Sequence, residues 1–264
     1  MFLGVNGLNL HYERHGTGSP VLVFVHGLGC SAHVWYPQMS AFSPSFLALA
    51  PTLRGHPPSD PGDGYSLGAL TSDVLGLLRA LGVSRCVIVA ASASSGIGIR
   101  LAAQEPGLVE ALVLVSGFAA LSPVQRQQIE HTIARVQEGG VEAVAARLAR
   151  LNFSEATNVG NGGLVGLQEI ALLRNAKEPY IAFWRALLDY DVTHLLREVA
   201  CPALVVFGPE DRMVDASRQF ELARALPRAT PKVIAGCGHC PNLEKPELFN
   251  AAVMEFLATV ARAR

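Results

Sequence analysis

Hydrophobic positions along the chain fall into two alternating kinds of segment. Short β-rich runs at 21–25, 46–50, 86–90, 111–115, 203–207 and 231–235 are mostly apolar throughout, as in strands buried on both faces of a parallel sheet. Between them apolar residues recur at three- and four-residue steps, most plainly at Leu67, Leu70, Val74, Leu77, Leu78 and Leu81, and this spacing predicts helix. Residues 2–14 predict a hairpin turning at Asn6-Gly7, where Asn and Gly suit two positive φ angles. The alternation implies a doubly wound α/β sheet. A final helix is expected from Pro246, a favoured first helical position, packing through Phe249, Val253, Phe256, Leu257 and Val260. The alternation breaks from about 119 to 198, where the patterns are helical and a glycine-rich stretch, Gly160 to Gly166, interrupts them. No strand precedes these glycines and no GK[ST] follows, so they read as a mobile connection and not a phosphate loop. The expected organisation is a core of residues 1–118 and 199–264 with an insertion, 119–198. No internal repeat is found.

Composition narrows the function classes. The chain has 264 residues, half of them hydrophobic, enough for one large core. Its formal charge of −1, with ionic residues scattered, leaves no extended basic surface for phosphates, so nucleic acid is not an expected partner. The apolar runs have strand length, well short of the ~20 residues of a spanning helix, so no membrane segment is expected. The amino terminus opens on a strand-like pattern without a basic, then apolar, leader, which makes a cytoplasmic location the expectation. Five cysteines, an odd number, suit a reducing compartment. Cys237 to Cys240 spell CGHC, but near the end of a large domain instead of at the start of a small one, and no second ligand pair suits zinc. Both are read as plain loop residues.

The chemistry centres on CVIVAASASSGIGIRLAAQEP, a buried strand running within a few residues into a helix. Ser92 stands at that turn. A serine on so sharp a turn projects its oxygen above the sheet, and its neighbours two positions away must be small. Ala90 and Ser94 are small, although the usual GxSxG is here AxSxS. Ser94 is the rival nucleophile, because Gly96 follows it at the right spacing. Two later segments each place a candidate after a strand: Asp211 in FGPEDRMV and His239 in AGCGHCPNLEKPE. Glu210 and Asp215 are competing acids, and the GxxD spacing from Gly208 favours Asp211. An unaided serine is a poor nucleophile; an imidazole must take its proton, and a carboxylate must fix that imidazole's tautomer.

With these residues the chain resembles the α/β-hydrolase fold superfamily, serine hydrolases with a helical cap, from residue 3 to about 260. The resemblance implies a mostly parallel eight-stranded sheet flanked by helices with an inserted helical cap. It implies a triad of Ser92, Asp211 and His239 in the family's chain order, and Ser92 fits the family's spacing, three residues past the last apolar strand position and 14 before Pro106. From His26-Gly27 it implies an oxyanion hole made by the backbone N–H groups of Leu28 and Ala93. LAPTLRGHPPSD is similar to the family's DxRGxGxS loop, with Thr52 and Pro57 replacing aspartate and glycine. His26, His33 and His56 are expected to shape loops, while His26, Phe118, Phe153 and Trp184 are candidates to border substrate.

The implied activity is hydrolysis of an ester, lactone or related acyl bond of a small apolar molecule through an acyl-enzyme, with no metal and no cofactor. The same triad in this family also serves carbon–carbon bond hydrolysis and perhydrolysis, and other members are non-catalytic ligand receptors or regulators. Dehalogenase and epoxide hydrolase chemistry needs an aspartate where Ser92 stands. ASSGIG matches part of the cofactor turn of short-chain dehydrogenases, but that turn belongs near the amino terminus and no YxxxK occurs in this chain. The sequence specifies no oligomeric state.

Overall fold

The computed structural model describes residues 1–262. Eight strands form one sheet: β1 (Phe2–Val5), β2 (Leu8–His15), β3 (Val21–Val25), β4 (Leu47–Pro51), β5 (Cys86–Ala91), β6 (Val109–Val115), β7 (Ala203–Phe207) and β8 (Ala229–Val233). Their spatial order is β1-β2-β4-β3-β5-β6-β7-β8; β1 and β2 pair antiparallel, β2 runs antiparallel to β4, and every other neighbour is parallel.

The apolar runs of the central strands serve two cores, because successive side chains point to opposite faces. Val23, Val25, Ile88 and Ala90 join one core, whereas Leu22, Phe24, Val87 and Val89 join the other. Helices α1 (Tyr36–Phe42) and α11 (Pro246–Arg262), the latter following the short α10 (Pro241–Glu244), cover the second core through Met39, Phe42, Phe249, Val253 and Phe256. Helices α2 (Leu67–Ala80), α3 (Ser95–Gln104) and α9 (Ala216–Ala225) cover the first through Leu70, Val74, Leu77, Ile97 and Leu222. Strand β8 begins two residues before its expected place and is largely exposed. It is an edge strand with Pro231 and Lys232 on it, protected by composition instead of burial, so the apolar signal that marks the central strands marks it poorly.

Between β6 and β7 the chain leaves the sheet and forms α4 (Pro123–Gly139), α5 (Ala145–Leu151), α6 (Glu155–Gly160), α7 (Gly162–Leu173) and α8 (Lys177–Leu188). Their buried residues, among them Ile129, Leu148, Leu172, Tyr180 and Phe183, are continuous with the first core. The glycine-rich stretch is not the mobile connection its composition implies: Gly160 ends α6, Asn161 caps α7 by accepting from the Leu164 amide at 3.1 Å, and Gly162 to Gly166 are helical. A capped turn and the leucines that follow outweigh the glycines' poor propensity.

One polar arrangement fixes the loops at the carboxyl end of the sheet. His26 and His56 are buried with ring centroids 5.0 Å apart. His26 Nε2 accepts from the Leu53 amide at 3.0 Å, and His56 Nε2 accepts from the Gly29 amide at 3.0 Å. Each ring must therefore carry its proton on Nδ1, which His26 donates to the Gly27 carbonyl at 2.8 Å and His56 to the Arg54 carbonyl at 3.1 Å. Burial, with its neighbour His56 adding to the effect, lowers the His26 pKa to about 3; burial lowers that of His56 to about 4. Beside them Arg54 meets Asp73 in a buried two-pronged ion pair at 2.6 and 2.7 Å.

Two outcomes are expected. An added Cβ at Gly166 meets nothing within 4 Å and the position is helical, so Gly166→Ala should stabilise the fold by about 0.5–1 kcal/mol in urea denaturation. The two neutral histidines bind protons in the unfolded chain that they refuse when folded. Stability is therefore complete above pH ~6.5 and falls as pH drops toward the folded values, by up to about 1.4 kcal/mol per pH unit for each ring. Urea midpoints measured between pH 7 and 5, above the carboxylate range, should show this decline, and His56→Gln should flatten it by about one proton.

Candidate active site

β5 passes into α3 through a single three-residue 3-10 turn, Ser92–Ser94. Ser92 lies there with φ of +54°, a left-handed conformation that a serine adopts only under constraint. The constraint is visible on two sides. Gly27, after β3, approaches so closely that a Cβ on it would stand 3.3 Å from the Ser92 Cβ. Ser94, two residues on, is buried and donates its hydroxyl to the His26 carbonyl at 2.5 Å. That bond explains why serine stands where glycine is usual: the hydroxyl ties the elbow to the loop after β3. It also sets Ser94 apart from Ser92, which is partly exposed and borders the cavity above the sheet. Gly96 has a separate reason to be glycine, since a Cβ there would stand 2.6 Å from the Tyr190 ring.

Asp211 follows β7 with its side chain buried. Oδ1 accepts from the amides of Met213 and Val214 at 2.8 and 2.9 Å, and Oδ2 accepts from Gln219 Nε2 at 3.1 Å. Oδ2 also lies 2.8 Å from Nδ1 of His239. Nδ1 is thereby the protonated nitrogen, which leaves Nε2 as the basic one. Glu210 and Asp215 are exposed, and Asp215 is occupied in capping α9 through the Ser217 amide. The two carboxyl-terminal loops interlock: a Cβ on Gly208 would stand 2.1 Å from the Cys237 carbonyl, and that carbonyl accepts from the Glu210 amide at 3.0 Å.

Ser92, His239, Leu28 and Ala93 all border one cavity between the sheet and the helical insertion. No hydrogen bond joins Ser92 to His239 among the described residues; such contacts are commonly loose in an empty site and tighten around substrate. The Leu28 amide takes no acceptor among the described residues, and the Ala93 amide stands in the first turn at the start of a helix, where N–H groups lack intrahelical partners. Phe118 and Trp184 border the cavity. His26 and Phe153 do not. His26 lies fully buried beneath the loop it supports, and Phe153 is packed where its backbone meets Gly238.

Several groups escaped sequence reasoning. Glu244 ties the His239 loop to the insertion: Oε1 accepts from the Gly238 amide at 2.6 Å, and Oε2 accepts from the Ser154 amide at 2.9 Å and the hydroxyls of Ser154 and Thr157 at 2.6 Å. Gln219 could have been found, because it lies one turn before the buried Leu222 and Ala223 on the apolar stripe of α9, where a polar side chain needs a buried partner. Nothing in the pattern marks Glu244. Of the CGHC cysteines, Cys237 is buried and Cys240 borders the cavity; burial pushes the Cys237 thiol up to about 12 and Cys240 well above its ordinary value, the reverse of a redox-active pair. No cluster of three or more potential metal ligands occurs among the described residues, and no described helix is long and apolar enough to cross a membrane.

This geometry has counterparts. The enol-lactonase from Burkholderia xenovorans LB400 superposes with a TM-score of 0.92 at 26% identity, covering 98% of this chain and 100% of that one. A hydrolase from Pseudomonas aeruginosa PA01 gives 0.89 at 29% identity, covering 97% of each. The protein named "Putative carbamate hydrolase RutD" of Caulobacter sp. (strain K31) is 28% identical over 259 residues, spanning 94% of this chain and 96% of its own. Residues 22–252 match the alpha/beta hydrolase family as a whole. The chain, by its sheet, its insertion and this match over most of its length, belongs to the alpha/beta hydrolase family.

Proposed function

We propose that the chain hydrolyses an ester, lactone or related acyl bond of a small apolar molecule through an acyl-enzyme on Ser92. The observation that carries this reading is a buried Asp211–His239 pair whose imidazole borders the same cavity as a serine held at a positive φ. Ser92 Oγ attacks the carbonyl carbon while His239 Nε2 takes its proton, and Asp211 holds the ring in the required tautomer and stabilises the imidazolium. The negative charge gathering on the carbonyl oxygen is met by the amides of Leu28 and Ala93. His239 returns the proton to the leaving group, then takes one from the water that opens the acyl-enzyme. Two relatives carry names, enol-lactonase and carbamate hydrolase, that denote cleavage at an acyl carbon. Mostly apolar walls, including Phe118, Ile129, Leu148 and Leu187, suit an apolar substrate body.

A fluorophosphonate probe followed by peptide mapping tests the reading directly. The label is expected on Ser92, and Ser92→Ala should abolish labelling and lower turnover of p-nitrophenyl esters by at least about 10⁴-fold. Labelling of Ser94 would overturn the assignment. Neither labelling nor turnover, together with tight ligand-induced stabilisation, would make the protein a receptor.

A further inference from the structure

Part of the cavity wall is built by the chain that follows the oxyanion loop and by the helix that follows His239. Gly27, which approaches Ser92, accepts the Cys30 amide on its carbonyl at 3.3 Å, and from there Cys30 and Trp35 border the cavity. Gln168 reaches this segment from α7: its Nε2 donates to Cys30 Sγ at 3.4 Å, and a Cβ on Gly29 would stand 2.5 Å from Leu172, one turn beyond Gln168. Asn242 reaches it from α10, where its carbonyl accepts from Gln38 Nε2 on α1 at 2.9 Å. The two approaches converge, because the Cys240 thiol at the start of α10 is raised first by burial and then by Cys30 as its neighbour. Gln168 and Asn242 are only 3% and 4% exposed, and both border the cavity. Yet Gln168 Oε1 and the side-chain amide of Asn242 make no hydrogen bond to any described residue. Trp35 Nε1, on the segment they share, is walled in without a partner. Polar groups buried this deeply are hydrogen-bonded as a rule, and bulk solvent does not reach these as it reaches a side chain on the rim.

We infer that Gln168 and Asn242 hold a neutral carboxamide of the substrate, so that the molecule cleaved is otherwise apolar and carries an amide N–H and C=O beside its scissile acyl bond. With Gln168 Nε2 spent on the Cys30 sulfur, the atom left free is Oε1, an acceptor, and it takes the N–H of the carboxamide. Asn242 Nδ2 donates to the carboxamide oxygen. A ketone in the same place offers no donor to Gln168, and a carboxylate sets an oxygen against Oε1. The inference deepens the acyl-hydrolase reading and rests on it for its kinetic readout, though not for its binding readout.

The test uses esters in which only the amide N–H is exchanged for CH2. On the acyl side the pair is the p-nitrophenyl esters of N-acetylglycine and of 4-oxopentanoic acid; on the alcohol side it is 2-acetamidoethyl and 4-oxopentyl butyrate. After correction for uncatalysed hydrolysis, the wild-type enzyme is expected to favour the amide member of one pair in kcat/KM. Gln168→Met, which keeps the length of the side chain and removes the acceptor, should lower that preference ratio by about tenfold, the loss of one hydrogen bond. The ketone ester serves as the internal reference within each variant. In parallel, Ser92→Ala is titrated calorimetrically with the amide and ketone members of both pairs, the methyl esters standing in for the p-nitrophenyl esters, and only an amide member should bind in a manner sensitive to Gln168→Met. No preference in either pair, or a ratio that Gln168→Met leaves unchanged, overturns the carboxamide site while leaving Ser92 hydrolysis intact. Gln168-dependent binding of an amide ester without turnover of any of the four leaves the carboxamide site standing and overturns the hydrolase reading.

Discussion

The site depends on the close approach of two backbone segments, the loop after β3 and the elbow after β5. A Cβ at position 27 would press on Ser92 at 3.3 Å, so glycine there eases the passage of the chain, and the Ser94 hydroxyl, donated to the His26 carbonyl, ties the two segments together beyond the β3–β5 ladder. Glycine at 94 would lack that bond. The approach turns Ser92 toward the cavity and brings the Leu28 and Ala93 amides to its rim. Backbone strain at one residue is thus offset by hydrogen bonds from its neighbours, as expected where a strained φ persists at a functional site.

Support for this contact runs outward through neutral imidazoles. His26 and His56 each present one acceptor to a backbone amide and one donor to a carbonyl, a division of labour that a protonated ring cannot perform. Their burial keeps them neutral. The helical insertion reaches the same loop: Asn175 donates to the Gly29 carbonyl at 3.0 Å, and the Phe183 ring meets the edge of His56 at a centroid distance of 5.0 Å. On the other side of the cavity Glu244 joins the His239 loop to the start of α6. The insertion therefore braces both the amide donors and the imidazole as well as roofing the cavity.

How much of this was legible in the sequence follows from what each element is packed against. Strands β3, β5, β6 and β7 are buried on both faces, so their apolar runs announce them, and Ser92 and Asp211, just past the carboxyl ends of β5 and β7, follow by counting, whereas His239 comes after the poorly marked β8. Edge strand β8 is exposed and starts two residues before the apolar run that marks it. Gly162 to Gly166 fold as helix because a cap and flanking leucines override a composition that signals a loop. His26 and Phe153 were assigned to the substrate from their chemistry alone, whereas their direction relative to the cavity is a property of loop packing that no local pattern encodes. Thr52 gave no hint of its partners, yet its hydroxyl accepts from the Ala32 amide at 3.2 Å and pairs with His11 at 3.1 Å, occupying the place where the family has aspartate without placing a charge there.

That last substitution fits a wider electrostatic arrangement. Beneath the elbow and around the His239 loop, formal charge is either absent or already matched. The histidines under the oxyanion loop are neutral, Thr52 replaces a carboxylate, and Arg54 is matched by Asp73. Asp211 is met by three N–H donors besides His239, and Glu244 by four donors of its own. Charges satisfied in this way exert little net field at a distance, because each sits beside its own compensating dipoles. The field above the elbow is then left to the amides of Leu28 and Ala93, where negative charge would gather in the proposed reaction.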